Sequence, residues 1–176
     1  MFTLRFMKHT SIRRRINAKY SAIFFTAAVV SLSLLLMACR KNHIIDEFRS
    51  KDTETWNAAD TLHFPFTITD TTSEYRLIIG LRNTTNYPYS NMFIFMNTLT
   101  PHGIIIRDTL EFLLADKYGD WLGKGIGRVR DSRFLINDRM AFRNSGQWNI
   151  ILEHGMRDIE LQGISDVGLR LEKRSN

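Results

Sequence analysis

Cys39 is the only cysteine in this 176-residue chain, and its position indicates what its thiol can do. Seventeen residues without a charge, from Ala22 to Ala38, end directly before it, and basic residues follow. Residues 1–20 carry six basic side chains and no acidic one, which is typical of the start of a secretory signal. A thiol placed there could be a buried structural residue, the end of an uncleaved membrane anchor or an attachment point for lipid.

The residues Leu36-Met37-Ala38-Cys39 favour the last of these alternatives. They resemble the bacterial lipobox, in which the cysteine sulfur receives a diacylglyceryl group and the cysteine becomes the first mature residue. An uncleaved span would need about 17 to 25 apolar residues, so this run lies at the lower limit. We predict a lipoprotein signal peptide over residues 1–38. We also predict acyl chains on Cys39 that bind the protein to a lipid bilayer.

Removing the signal peptide changes what the charge of the protein implies. The whole chain has 24 Lys and Arg residues against 18 Asp and Glu residues, a formal net charge of +6. Six of the basic residues and none of the acidic ones lie in residues 1–38, so the mature part is balanced at 18 against 18. The basic composition therefore does not indicate nucleic-acid binding, and we expect no nucleic-acid partner.

The mature sequence contains no recognisable catalytic or metal-binding set. It has no cysteine beyond Cys39 for a disulfide, a thiolate metal site or a nucleophile. The stretch Gly119–Gly125 has too few residues between its glycines for a phosphate-binding loop. The histidines lack the spacing of metal ligands: His43, His63, His102 and His154. We expect no metal, no cofactor and no enzymatic activity, although spacing alone does not reveal a carboxylate pair that acts on a glycan.

Short strands are the elements that would position any functional residue. Apolar side chains occupy every second position from Leu62 to Ile68, the pattern of a half-buried strand, and Pro65 favours a sheet edge because it lacks a backbone N–H. We predict an all-β domain over residues 60–176. It is an antiparallel two-sheet β-sandwich with immunoglobulin-like or jelly-roll connections. Residues 39–59 are polar and predict a tether. The other predicted strands are 75–82, 91–98, 104–114, 128–136, 148–153 and 167–172.

Two of the predicted loops carry aromatic side chains. Residues 83–91 are uncharged and contain Tyr87, Pro88 and Tyr89. Because recognition is often carried by loops on a rigid scaffold, we predict that both tyrosines project from this loop and contact a partner. The alternative is that both rings fold back over the end of the sandwich. Trp121, in the other loop, is expected to close that end, but these three rings could instead stack on a sugar.

Four segments, taken in order with the lipobox, resemble a known family. They are "LRNTTNYPYSN" from Leu81, "DTLEFLLAD" from Asp108, "GDWLGKG" from Gly119 and "HGMRDIELQGISDVGLRLEK" from His154. In this combination they are similar to the GldH gliding-motility lipoprotein family of the Bacteroidetes, over nearly all of the mature chain. The resemblance implies a cell-envelope lipoprotein linked to gliding and to type IX secretion, with no known catalytic activity.

Two functions from different classes follow as hypotheses. The first is a non-enzymatic, membrane-anchored component of the gliding and type IX secretion machinery, whose partners are other envelope proteins. The alternative is a glycan-binding envelope lipoprotein that uses Tyr87, Tyr89 or Trp121. By resemblance, surface-exposed lipoproteins of this phylum carry acidic residues directly after the lipidated cysteine, whereas here Arg40, Lys41 and Asn42 follow. We therefore expect a periplasm-facing domain on the outer membrane.

The first testable prediction concerns the covalent state of Cys39. Mass spectrometry of the protein from its native membrane is expected to show a mature N-terminus at Cys39 that carries acyl chains. In Cys39→Ser the precursor is expected to stay uncleaved, because the acceptor sulfur is missing, while the fold of residues 60–172 is unchanged. Peptides that join the signal segment to Asn42 in the wild-type membrane fraction would contradict the prediction.

Overall fold

The computed structural model describes residues 43–51 and 53–174, and its regular elements there are strands. Cys39 and the predicted signal peptide lie outside the described residues. Among the residues that the structure describes, no helical segment has the length and hydrophobicity that a membrane span requires. The strands are β1 (His43–Ser50), β2 (Thr55–Asn57), β3 (Leu62–Ile68), β4 (Glu74–Thr84), β5 (Asn91–Leu99), β6 (Ile105–Leu113), β7 (Val129–Ala141), β8 (Gly146–His154), β9 (Glu160–Gln162) and β10 (Ile164–Lys173).

The long strands form two antiparallel sheets that pack as a sandwich. Sheet I has the order β1-β10-β4-β7 and sheet II has the order β3-β8-β5-β6, while β2 and β9 form a separate short pair. The pairs β1 with β10, β3 with β8, β4 with β7 and β5 with β6 are nested, as in one long hairpin rolled into two layers. This connectivity is that of a jelly roll, so it decides between the two predicted wirings.

The predicted fold class and the seven predicted strands are confirmed. Each predicted range falls on an observed strand, and β3 has the predicted bounds. Its buried residues alternate from Leu62 to Ile68 as the period-two pattern requires. Pro65 lies in this strand, which is at the edge of sheet II, so the missing N–H removes no bond from the interior of a sheet.

The prediction of a tether over residues 39–59 is wrong from His43 onward. Residues 43–50 form β1, which pairs along its length with β10, and Trp56 in β2 is fully buried. The sandwich therefore begins at His43 rather than at residue 60. The sequence conceals β1 because Ile45 is its one core residue, while Ile44 is exposed and Phe48 lies on the outer face of the sheet.

Phe48 is held in a groove that two glycines create on the outer face of sheet I. It pairs with Gly168 of β10, which pairs in turn with Gly80 of β4. A Cβ atom at Gly168 would lie 2.6 Å from the Phe48 ring, and one at Gly80 would lie 2.7 Å from it. The Arg82 guanidinium covers the ring at 4.1 Å from its centroid, within the range of a cation–π contact. This packing fixes β1 on the sheet although few of its residues reach the core.

The core between the sheets is aromatic near the end where β1 begins. Phe142, in the β7–β8 turn, is fully buried, and its ring lies 4.9 Å from that of Trp148 and 5.3 Å from that of Tyr75. Both pairs have the edge-to-face geometry that aromatic rings favour. The ring centroids of Phe112 in β6 and Phe134 in β7 lie 4.5 Å apart, so this pair connects the edge strands of the two sheets.

The Phe48 groove generates a prediction about stability. Gly168→Ala is expected to destabilise the protein by about 1 to 3 kcal/mol, the usual cost of overpacking, because the new methyl group displaces the Phe48 ring. The double variant Gly168→Ala with Phe48→Ala should recover part of that loss, since the clash is gone. Urea unfolding of the four proteins of this cycle measures the coupling. Additive changes in the free energy of unfolding would show that the ring does not occupy the groove.

Candidate functional site

Three of the sequence segments described above lie together at one end of the sandwich. We call this the distal end, and it is the end at which β1, β4, β6 and β8 finish. The loop after β4 (residues 85–90), the loop after β6 (114–128) and the segment after β8 (155–163) all lie there. Backbone bonds connect them. The Thr84 N–H donates to the Gly163 carbonyl at 2.8 Å, and the Leu114 N–H donates to the Ser90 carbonyl at 2.7 Å. Residues distant in sequence therefore form one surface.

Tyr87 belongs to the core of this end and does not project from it. Its side chain is only 4% exposed, and its hydroxyl donates to the Asn91 carbonyl at 2.9 Å. The backbone at Tyr87 lies against Gly163, which has a φ of +85° and where a Cβ atom would come within 2.7 Å of the Tyr87 N and Cα atoms. Burial raises the pKa of the Tyr87 hydroxyl. The prediction that both tyrosines project is thus wrong for Tyr87.

Tyr89 is the aromatic residue of this loop that reaches the surface. Its side chain is 36% exposed, and its hydroxyl donates to Asp158 Oδ2 at 2.6 Å. This hydrogen bond is the main reason that the pKa of Tyr89 is raised. The ring also meets the edge of Tyr87, with 5.8 Å between the centroids. Tyr89 is therefore held in place from two sides while part of its ring remains accessible.

A cleft of about 410 Å³ opens beside Tyr89. Tyr89, Phe93, Gly155, Met156 and Arg157 line it. The cleft is fixed by two contacts between β5 and the segment after β8: the Gly155 N–H donates to the Phe93 carbonyl at 2.7 Å, and the Phe93 N–H points to the Met156 sulfur at 3.4 Å. An aromatic, a thioether and a guanidinium side chain next to one another suit a mixed apolar and anionic ligand surface.

His154 directly precedes the cleft residue Gly155 in the sequence and is buried. It is 4% exposed, and its ring meets that of Trp56 at 5.5 Å in an edge-to-face arrangement. Within the described residues neither ring nitrogen has a hydrogen-bond partner of good geometry. Burial lowers the pKa of His154, and the backbone at Trp56 and Ile159 offsets only part of this effect. His154 is accordingly a neutral core residue at neutral pH.

The other candidate residues take structural positions. Trp121 is partly buried and packs against the core, as expected for a residue that closes the end of the sandwich. In residues 43–51 and 53–174, no three His, Cys, Asp or Glu side chains are grouped so that they could hold a metal ion. Sequence reasoning missed Asp158 as the partner of Tyr89. Tyr89 and Asp158 both lie in segments that resemble the same family. That resemblance does not predict that the two side chains are in contact.

Comparisons with known proteins agree with the resemblance seen in the sequence. The family model described as "GldH lipoprotein" matches residues 43–171. A gliding motility lipoprotein GldH homolog of Christiangramia forsetii is 32% identical, with 91% of this chain and 99% of the relative covered. The gliding motility lipoprotein GldH of Flavobacterium johnsoniae is 30% identical, with 89% and 98% covered.

A solved structure with a weak likeness to this chain is that of the Yersinia pseudotuberculosis-derived mitogen. It shares 8% identity with this chain at a TM-score of 0.34, and the match covers 75% of this chain and 88% of the mitogen. A likeness of this size supports no inference about function.

The burial of His154 generates a prediction about pH. An unfolded histidine takes up a proton near pH 6.5, whereas folded His154 resists protonation because its pKa is lowered. The unfolded state therefore binds more protons as the pH falls below about 6.5, and the folded state loses stability in that range. We expect the free energy of unfolding to fall less between about pH 7.5 and pH 5.5 in His154→Phe than in the wild type.

Urea unfolding at the two pH values measures this difference. His43, His63 and His102 remain in the variant, so a comparison of the two proteins isolates the effect of His154. Equal pH dependence in both proteins would mean that His154 is protonated as readily in the folded as in the unfolded chain.

Proposed function

Because the chain belongs to the GldH lipoprotein family, we propose that it is a lipid-anchored, non-enzymatic component of the gliding and type IX secretion machinery, and that its distal end docks onto another envelope protein. The relatives are named gliding motility lipoproteins, which supports a membrane-anchored envelope protein. The proposal adds the attachment of lipid at Cys39, an outer-membrane location and a periplasm-facing domain.

The orientation of the domain can be tested with protease. If the domain faces the periplasm, protease added to intact cells leaves it uncut and digests it only after the outer membrane is opened.

One observation carries the docking proposal. The loop after β4, the strand β5 and the segment after β8 build a surface in which Tyr89 is positioned by Asp158 at 2.6 Å beside the cleft formed with Phe93 and Met156. A fixed aromatic ring at the rim of a cleft that also presents a thioether and a guanidinium group is the kind of anchor that concentrates binding energy in protein interfaces. Since Tyr87 supports this ring from the core side, the two tyrosines have different roles in the same surface.

The glycan-binding alternative receives less support from this geometry. It depended on the faces of Tyr87, Tyr89 and Trp121. Tyr87 is buried and Trp121 packs against the core, which leaves Tyr89 as the ring available for stacking. A single ring that is 36% exposed is a small platform for a sugar, whereas the neighbouring cleft with Met156 and Arg157 suits a protein side chain.

The test separates docking from folding. Tyr89→Ala is expected to change the free energy of unfolding by less than about 1 kcal/mol, because the residue is partly exposed. It is also expected to abolish co-purification of envelope proteins with the tagged lipoprotein. Tyr87→Ala should instead cost about 2 to 4 kcal/mol, as large-to-small changes in a core do. Thermal or urea unfolding, run beside the pull-down, measures both effects.

The matched control is Leu135→Ala, which truncates an apolar residue that is 57% exposed in the middle of β7, away from the distal end. It should retain the same co-purified proteins as the wild type. If Tyr89→Ala folds normally and also retains them, the distal end is not the docking surface. Binding of the wild type to a glycan array, lost in Tyr89→Ala, would favour the glycan-binding alternative.

A further inference from the structure

The hairpin between β5 and β6 exposes three consecutive isoleucines. Ile104, Ile105 and Ile106 are 61%, 63% and 51% exposed. A single exposed apolar side chain is ordinary, but these three lie at the tip of one hairpin, with Ile105 and Ile106 on opposite faces of β6, so the tip is apolar on both sides. The turn that presents them is well defined: the Thr100 N–H donates to the Ile104 carbonyl at 2.9 Å, and the Gly103 N–H donates to the Thr100 carbonyl at 3.0 Å.

This hairpin lies at the proximal end of the sandwich, defined as the end where β1 begins. His43 of β1 pairs with Glu172 near the end of β10, which pairs with Arg76 near the start of β4. The β3–β4 and β7–β8 turns connect the two sheets at this same end. In sheet II, Leu99 pairs with Ile105 there. The first residue of the domain and the exposed isoleucines thus lie at one end of the molecule.

The chain between Cys39 and β1 is short. Only Arg40, Lys41 and Asn42 separate Cys39 from His43. Four Cα–Cα steps span about 14 Å at most when fully extended. Because β1 is paired with β10 and held by Phe48, it does not lengthen this connection by detaching. An acyl group on Cys39 would therefore keep His43, and with it the β1 side of the proximal end, within about 14 Å of the bilayer surface.

We propose that Ile104–Ile106 insert into the interface of the bilayer that holds the acyl chains of Cys39. This inference rests on the proposed lipid attachment. β1 and β6 lie at opposite sides of the sandwich, three strand spacings of about 4.8 Å and one sheet spacing of about 10 Å apart, so both fit within one footprint on a flat membrane. The isoleucines act as a second membrane contact beside the acyl chains and fix the orientation of the domain.

The polar groups of the proximal end are compatible with this contact. The turn residues before the isoleucines carry no acidic group: Thr100, Pro101, His102 and Gly103. Asp70, in the β3–β4 turn, is paired with Lys173 at 2.6 Å, and Glu74 is paired with Arg174 at 2.8 Å. Carboxylates that are neutralised in this way repel an anionic lipid surface less than free ones would.

The absence of cysteine from residues 40–176 allows a direct test. Full-length Ile105→Cys is purified from membranes, labelled with an environment-sensitive fluorophore and reconstituted into vesicles of phosphatidylethanolamine and phosphatidylglycerol. Some of these vesicles contain phospholipid with a nitroxide high on the acyl chain. The control is Ile159→Cys, at a residue that is 72% exposed at the distal end. We expect a blue shift and quenching by the nitroxide lipid for the label at 105, and neither for the label at 159.

Equal emission and equal quenching at the two positions would overturn the proposal. A blue shift at 105 without quenching by lipid would also overturn it, because the hairpin would then be covered by protein, for example a second copy of the chain. Ile104→Cys provides a second position in the same turn if Ile105→Cys does not fold.

The wild-type protein separates this inference from the proposed function. A lipidated Cys39 has no free thiol, so the wild type is expected to take up no label. If it does take up label, the proposed attachment of lipid fails. If it takes up none and the label at 105 still behaves like the one at 159, only the membrane contact of the hairpin fails.

Discussion

The pairing of β1 with β10 is the constraint on which the rest of the molecule depends. A jelly roll closes its first long strand against its last, and here these two strands pair from His43 with Glu172 to Ser50 with Asp166. Without β1, the edge of sheet I would expose β10, and the core residues Leu169 and Leu171 would lose their cover on that side. Because β1 is also the strand nearest to Cys39, the same pairing that completes the fold would limit how far the domain can stand from a membrane under the proposed lipid attachment.

The nested pairing also assigns different properties to the two ends of the sandwich. At the proximal end the connections are short turns, such as the five residues between β3 and β4. At the distal end the longer connections after β4 and β6 lie side by side with the segment after β8. A rigid scaffold with its long loops collected at one end is the usual arrangement for recognition. The topology therefore places the proposed membrane contact and the proposed docking surface at opposite ends of the sandwich.

Most of the fold could be predicted from the sequence because a strand with one buried face has alternating apolar and polar residues. β3 shows this pattern from Leu62 to Ile68. The strand β1 could not, because its largest apolar residue, Phe48, packs on the outer face. The ring packs there because Gly80 and Gly168 have no side chain and leave room for it. Both glycines lie more than 30 residues from Phe48 in the sequence. A cross-strand groove of this kind is a tertiary feature, and local periodicity carries no information about it.

The candidate site was less predictable for the same physical reason. Tyr87 and Tyr89 are the same residue type two positions apart, and nothing near them in the sequence distinguishes the buried ring from the exposed one. What distinguishes them is Gly163 behind Tyr87 and Asp158 beside Tyr89, both supplied by a segment some 70 residues later. The sequence could indicate that this loop is a candidate binding site. Which of its two tyrosine rings is exposed depends on the segment that the jelly-roll connections bring beside it.

The two ends also differ in how their polar groups are satisfied. At the proximal end, Asp70 accepts hydrogen bonds from Lys173, Ser73 and Thr72, and these bonds hold its pKa well below its usual range. At the distal end, His154 is buried with neither ring nitrogen in a hydrogen bond of good geometry, and the buried Oδ1 atom of Asn83 has no partner in the described part of the chain. A buried polar group without a partner lowers stability, so such groups persist where something other than folding restricts the choice of residue. His154 and Asn83 flank the segments that carry Tyr89 and Asp158, which is consistent with the docking surface proposed for the distal end.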